Sequence, residues 1–394
     1  MLIRNVRPLG RDVTDILIES GRIAAIGPSL SAPPGADIED GRGMLALPGL
    51  VEGHSHLDKT LWGLGWYRNE VGAALTDKID NERRYRAKTN HDAGAASLAM
   101  ARRLLANGTT AVRTFTDVDT DAGLKHLRGV LATRAAMAPT QRMQVVAFPQ
   151  SGILRMPGTD ALLGEAMAAG ADVVGGLDPC GIDRDPVRHL DIVFGLAQKH
   201  GKPVDIHLHE PGEMGAFSLD LILERTAALG MRGTVVVSHG FCLGMIEQAQ
   251  RDALLSRMAA WNVAVATVAT PSRPVPTVPM CRAAGVTLFA GNDGMRDTWG
   301  PYGVPDMLER AMIVGLRSNL RRDDELIWAL EAVSTAGARG CGFEDHGLEP
   351  GSRADLVLVE AETVGEAVVA RPVRHLVVSA GRVVARGGAL VSGV

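Results

Sequence analysis

Two histidines one residue apart, His54 and His56, end an apolar run within Gly49-Leu-Val-Glu-Gly-His-Ser-His-Leu-Asp-Lys59. Side chains at i and i+2 of a strand share a face, so both imidazoles can reach one metal ion. Such a pair alone is weak evidence, because a catalytic metal site needs at least a third protein ligand. Other apolar runs end the same way. Pro203-Val-Asp-Ile-His-Leu-His-Glu210 closes with His207, His209 and Glu210. Thr234-Val-Val-Val-Ser-His239 closes with His239, and Val286-Thr-Leu-Phe-Ala-Gly-Asn-Asp293 with Asp293. Singly, each has a plainer reading, as a hydrogen-bonded core histidine or, for Asp293, a helix cap. Jointly, imidazoles and a carboxylate make a donor set for a borderline divalent metal.

The elements that must position these residues alternate between strand and helix. Apolar or β-branched runs fall at 45–57, 109–118, 144–149, 171–177, 203–210, 234–240, 263–270 and 286–293, mostly separated by helix-like stretches. One such stretch, Ala93 to Leu105, stops at Asn107-Gly108, a favourable C-terminal cap pair. Eight strands apolar on both faces and separated by helices predict a (β/α)8 barrel, an α/β architecture whose active site lies at the strand C-termini. An open doubly wound sheet is disfavoured, because no Gly-rich phosphate turn follows the first strand. Both chain ends read as short strands, such as Asp15-Ile-Leu-Ile-Glu19 and Ala354-Asp-Leu-Val-Leu-Val-Glu360. They predict a small β-sandwich built from residues 1–48 and 346–394 beside a barrel of 49–345.

Composition narrows the function. The net charge of −4 and pI near 6.3 give no electrostatic reason for a nucleic acid or an anionic membrane as partner. No run approaches the roughly 18 apolar residues of a membrane span, and the N-terminus enters a strand without a signal-like segment. Cys180, Cys242, Cys281 and Cys341 lie far apart with no CxxC spacing, as expected of buried thiols in a reducing cytoplasm. The expected partner is a small molecule, and nothing excludes a homo-oligomer.

These motifs together resemble the amidohydrolase superfamily over essentially the whole chain. That family's pattern is HxH after strand one, histidines after strands five and six, and aspartate after strand eight. The resemblance implies His54, His56, His207 and Asp293 as ligands of one divalent ion, Zn2+ or Fe2+. Strand four, Ala171-Asp-Val-Val-Gly-Gly-Leu177, lacks the lysine that bridges two ions in the binuclear branch. Within the superfamily the resemblance is to the bacterial cytosine deaminase branch and the related N-isopropylammelide amidohydrolases. Val145-Val-Ala-Phe-Pro-Gln-Ser-Gly-Ile153 is similar to the deaminase segment in which a glutamine, here Gln150, contacts the pyrimidine.

The function so implied is hydrolytic deamination of a free aminopyrimidine such as cytosine or isocytosine, with water activated at the metal. Glu210 would be the acid/base, His239 would orient the nucleophile, and Asp293 would take its proton. Gln150 offers both a donor and an acceptor, which suits a lactam edge. Two features point instead to an N-substituted aminotriazine: Asp293 precedes Gly294 where the deaminase has a second aspartate, and the first motif ends in Asp58-Lys59. Lys59 suits an electron-rich ring oxygen, or else pairs with a local carboxylate. His209 is either a substrate contact or a hydrogen-bond partner of a ligand, and Trp299 either covers the ring or merely packs. Asp178 and Asp183 read as turn caps, and the other six histidines, His126 among them, as structural residues. An inactive metal-binding scaffold is the alternative from another class, but it would normally have lost a ligand or Glu210.

Overall fold

The computed structural model describes all 394 residues, and its strands fall into two eight-stranded sheets. The first has the order β16-β15-β14-β13-β4-β1-β2-β3 and draws on both chain ends. Its strands are β1 (Leu2–Pro8), β2 (Thr14–Glu19), β3 (Arg22–Gly27), β4 (Ile38–Pro48), β13 (Leu356–Val359), β14 (Arg374–Ser379), β15 (Arg382–Arg386) and β16 (Ala389–Leu390). The sheet curls until the β2–β3 turn touches the β14–β15 turn at Gly21 and Gly381. Its halves enclose a small core that includes Ile3, Ile16, Ile23, Leu356, Leu376 and Val378.

The second sheet is all parallel and runs in chain order from β5 (Leu50–Ser55) through β6 (Thr109–Asp117), β7 (Arg142–Phe148), β8 (Val173–Leu177), β9 (Val204–Leu208), β10 (Val235–His239) and β11 (Ala264–Thr267) to β12 (Leu288–Ala290). A parallel bridge between Ser55 and Asp293 closes it into the (β/α)8 barrel, and Asp293 N–H donates to His54 O at 2.7 Å. The closure thus sets the aspartate beside the first histidine. Helix Ala93–Ala106 ends as its sequence predicts, with Gly108 at φ +89°.

Two departures from the sequence reading matter. The run 45–57 is not one strand: β4 ends at Pro48 in the terminal sheet, and β5 begins the barrel at Leu50. Pro48 has no N–H to extend the ladder. At Gly49 the backbone passes so close to its neighbours that a Cβ would lie 2.3 Å from Thr110 Oγ1. An extra helix, Leu75–Lys88, also lies between β5 and helix Ala93–Ala106, outside the eight βα units.

The barrel floor is sealed from below by helix Thr335–Cys341. Its Ala338 packs on Val51 and Ala111, and Cys341 joins Val236, Ala264 and Phe289. Gly340 must be glycine, since a Cβ there would sit 2.3 Å from the Phe289 ring. No helix of the chain is long and apolar enough to cross a membrane. All four cysteines are free thiols.

Candidate metal centre and active site

His54 and His56 reach the barrel axis because β5 is irregular: its register with β6 shifts between Glu52 and Ser55. Irregularities of this kind re-aim side chains at barrel rims. His207, near the end of β9, needs no such device. Asp293 and His239 turn toward the same point from left-handed backbone, with φ of +65° and +68°. Such conformations cost non-glycine residues of order 1 kcal/mol or more and cluster at functional sites.

The four side chains converge. His56 Nε2 lies 3.2 Å and His54 Nε2 3.6 Å from Asp293 Oδ1, and His207 Nε2 lies 3.4 Å from His56 Nε2. One ligand atom from each residue falls within 4.8 Å of the other three. Phe115 and Phe148 pack beneath, with His54 to Phe115 at 4.4 Å and His207 to Phe148 at 4.2 Å between ring centroids. Burial keeps His56 and His207 below the ordinary imidazole range, and nearby cations and imidazoles add to it. Burial opposes ionisation of Asp293, but the His54 and His56 imidazoles set against it and the nearby His239 hold its pKa well below the usual carboxylate range. Neutral imidazoles around a carboxylate are the protonation state in which these groups donate lone pairs. His54 Nε2 is buried with no hydrogen-bond partner, which a cation between the four groups would satisfy. The donor set therefore fits a divalent ion.

His239 stands beside this cluster with both ring nitrogens unpartnered and its ring 4.9 Å from His54. Burial, then His209 and His54, keep it neutral. His209 stacks on His239 at 4.2 Å and is held by Asp178, whose carboxylate accepts from the His209 N–H at 2.6 Å and from its Nδ1 at 2.7 Å. Burial would depress the His209 pKa, but Asp178 reverses that and raises it. Asp178 is thus an imidazole partner rather than only a turn cap. Asp183 takes a similar part away from the centre, binding His189 at 2.7 Å.

Glu210 lies in the turn after β9. Its Oε1 accepts from Cys180 N and Gly181 N, both at 2.7 Å, and Ser218 Oγ donates to Oε2. Burial raises its pKa despite these donors, which favours a group that carries a proton near neutrality.

Lys59 pairs with carboxylates, the second of the two roles its sequence position offered. Its ammonium is buried, donates to Gln150 Oε1 at 2.5 Å, and contacts Glu82 at 3.2 Å and Asp117 at 3.4 Å. Burial disfavours the charge, but Asp117, Glu82, Asp58 and Asp297 outweigh it and raise the pKa. Because an ammonium only donates, the Gln150 atom facing it must be the carbonyl oxygen. Gln150 thus turns its carbonyl to Lys59 and keeps its amide N–H groups free to donate to a ligand. Trp299 donates its Nε1–H to Glu82, and Lys59 lies 5.2 Å from its ring centroid.

The sequence reading missed the network behind Lys59. Helix Leu75–Lys88 supplies Glu82 and Arg86, and Arg86 binds Asp117 at 2.8 Å and Asp119 at 2.9 Å. Asp58 accepts from Asp117 N at 3.0 Å and pairs with His126 Nδ1 at 2.8 Å. His56, Asp58 and Asp117 also form a cluster tight enough for a cation. There the two carboxylates are already matched by Lys59, Arg86 and His126. Asp117 ends a barrel strand, so applying the strand-end rule to carboxylates would have found it. Glu82 and Arg86 carry no comparable signal.

The amidohydrolase family model matches residues 37–385. The chain belongs to the amidohydrolase family. Among amidohydrolases of known structure, N-isopropylammelide isopropylaminohydrolase from Burkholderia multivorans ATCC 17616 is 63% identical, with a TM-score of 0.97 and 99% of each chain covered. The 5-methylcytosine deaminase of Klebsiella pneumoniae, solved with 5-fluorocytosine, is 27% identical at a TM-score of 0.88, covering 98% of this chain and 97% of that one. N-isopropylammelide isopropyl amidohydrolase of Pseudomonas sp. (strain ADP) is 29% identical, covering 100% of this amidohydrolase and 98% of the relative. The chain is accordingly a hydrolase acting on C–N bonds.

Proposed function

We propose that the protein hydrolyses the exocyclic C–N bond of an N-alkylated, oxygen-bearing aminotriazine of the ammelide type, releasing the alkylamine. One observation carries this reading: the Lys59 ammonium binds Gln150 Oε1, which leaves the Gln150 amide N–H groups free to donate to a ligand. A ring edge rich in carbonyl oxygens, or one that has lost a ring proton, matches two donors. The 63% identity to the Burkholderia N-isopropylammelide enzyme supports it.

In this reading His54, His56, His207 and Asp293 hold one divalent ion, zinc or iron(II). Such an ion supplies Lewis acidity, making water a competent nucleophile near neutral pH. The remaining steps belong to the protein. Both imidazoles approach Asp293 Oδ1, which leaves Oδ2 to accept the proton of the attacking water. His239, neutral and unpartnered, donates or accepts one hydrogen bond to orient that water. The Gln150 amide N–H groups bind the ring oxygens, and the Lys59 charge behind Gln150 favours the negative charge that develops on the ring as the tetrahedral carbon forms. Glu210, its pKa raised by burial, delivers a proton to the exocyclic nitrogen. The C–N bond then breaks, the carbon keeps the oxygen from water, and the amine leaves neutral or protonated. His209, fixed by Asp178, faces the same mouth as a substrate contact, and Trp299 flanks Lys59 as part of the wall.

Aminopyrimidine deamination uses the same machinery and stands as the second reading, favoured by the presence of Gln150 and by similarity to the Klebsiella 5-methylcytosine deaminase. The test is a parallel assay of isopropylamine release from N-isopropylammelide and ammonia release from ammelide, cytosine, isocytosine and 5-methylcytosine, with zinc- and iron-loaded enzyme. A kcat/KM on N-isopropylammelide about 10- to 150-fold above cytosine is expected, since charged hydrogen bonds of this kind contribute about 1.5–3 kcal/mol. Preference for cytosine would overturn the triazine reading. No turnover of any ring at full metal occupancy would leave the inactive scaffold.

A further inference from the structure

Of the three imidazoles in the metal-site cluster, only His54 has its outer nitrogen bound by another side chain. His54 Nδ1 lies 2.9 Å from Ser238 Oγ, whereas His56 Nδ1 and His207 Nδ1 have no protein partner. Ser238 in turn donates to Asp205 Oδ1 at 2.6 Å, and Arg113 Nη1 binds Asp205 Oδ2 at 2.8 Å. Arg113 is itself held by Gln144 Oε1 at 2.7 Å from its Nε. Ser238, Asp205 and Arg113 are all buried. They come from β10, β9 and β6, so the chain of bonds crosses the barrel interior beneath the metal site. Small barrels normally fill that volume with branched apolar side chains. A buried polar chain there calls for a reason.

Proton counting supplies one. A serine hydroxyl has a single proton, and a carboxylate only accepts. With Arg113 beside it, Asp205 has the counter-charge that a buried carboxylate requires. Ser238 must therefore give its proton to Asp205 and can only accept from His54. His54 then carries its proton on Nδ1, and Nε2, which faces Asp293, keeps its lone pair.

We propose that Ser238 and Asp205, backed by Arg113, are positioning residues that lock His54 in the Nδ1–H tautomer and aim its Nε2 lone pair at the metal. The other two imidazoles have no such lock, so His54 is the preset ligand around which the others close. This rests on His54 being a ligand, which the zinc content of the wild-type protein tests separately.

The experiment compares wild type with Ser238→Ala, Ser238→Cys and Asp205→Asn in two ways. Zinc affinity is measured by chelator competition, where loss of an outer hydrogen bond to a ligand typically weakens binding 10- to 100-fold. The expected order is wild type tightest, Ser238→Cys intermediate, and Ser238→Ala and Asp205→Asn weakest. The tautomer is read directly in the metal-free protein by long-range 1H–15N spectra of histidine-labelled samples. His54 should show the Nδ1–H pattern in wild type, beside His126, His189 and His209, whose Nδ1 atoms face carboxylates, and it alone should lose the pattern in Ser238→Ala. Should Ser238→Ala not fold, Ser238→Cys, nearly the same size, gives both readouts. Zinc affinity within about twofold of wild type in folded Ser238→Cys and Asp205→Asn, or an Nε2–H pattern for His54 in wild type, overturns the proposal. If wild type takes up no zinc, the metal reading fails while the tautomer result still stands or falls by itself.

Discussion

Glu82 and Asp117 both reach Lys59, at 3.2 and 3.4 Å, yet replacing each by its amide should have unequal consequences. Burial and the neighbouring charge of Asp117 raise the Glu82 pKa well above the ordinary 4.5, so Glu82 is the member of the pair that takes up a proton first. Asp117 is also fully buried, but Lys59, the Glu82 proton and Arg86 keep it ionised. In Glu82→Gln the amide carbonyl accepts from Lys59 and Trp299 as the acid did, and the amide N–H replaces that proton. The expected cost is below about 1 kcal/mol, the scale of one ordinary hydrogen bond. In Asp117→Asn, Lys59 and Arg86 lose their common anion while nearly buried, and breaking a buried pair costs about 3–5 kcal/mol. The difference, about 3 kcal/mol, is a factor of roughly 150 in the folding equilibrium. Urea unfolding of the metal-free proteins, followed by tryptophan fluorescence and far-UV circular dichroism, measures it. The raised pKa also fixes a pH dependence. The Glu82 contribution is full below its ordinary 4.5 and is lost as pH climbs through the higher folded value. Glu82→Gln lacks that slope, so its stability relative to wild type should improve as pH rises above 4.5. A Glu82→Gln protein as damaged as Asp117→Asn would refute the protonation scheme.

Two further predictions concern the mouth of the site. Glu210→Gln keeps its backbone donors and should retain full metal content while kcat falls about 10²–10⁴-fold, the usual worth of a general acid, as read by metal analysis and steady-state kinetics. Gly294→Ala should destabilise by about 1–3 kcal/mol, because its Cβ would lie 2.0 Å from Asp297 Oδ2. Adding Asp297→Ser should recover most of that loss in a thermal melt, and no recovery would place the strain elsewhere.

The barrel was legible from the sequence because its signals are local. Apolar runs such as Val235–His239 repeat along the chain, and their last residues carry the imidazoles. His54, His56, His207 and Asp293 stand out because a strand end is a position any reader of the pattern can mark. The network around Lys59 was not legible, since its pairs join residues as far apart as Asp58 and His126, or Glu82 and Trp299, with no shared period. His126 looked structural, and it is bonded to Asp58 directly behind the metal-site loop. Gln150 was read as a two-edged amide because its type permits that; the ammonium at 2.5 Å, which no sequence pattern marks, engages the carbonyl edge. The break at Gly49 was hidden because the apolar run continues through it, while the chain changes sheet.

The crowding between Gly294 and Asp297 also couples the two positions. Asp297 is buried, its pKa is pushed up to about 6 by that burial, and it accepts from Trp299 N and Gly300 N. A side chain at 294 must displace that carboxylate from its backbone donors, so what either position tolerates depends on the residue standing at the other.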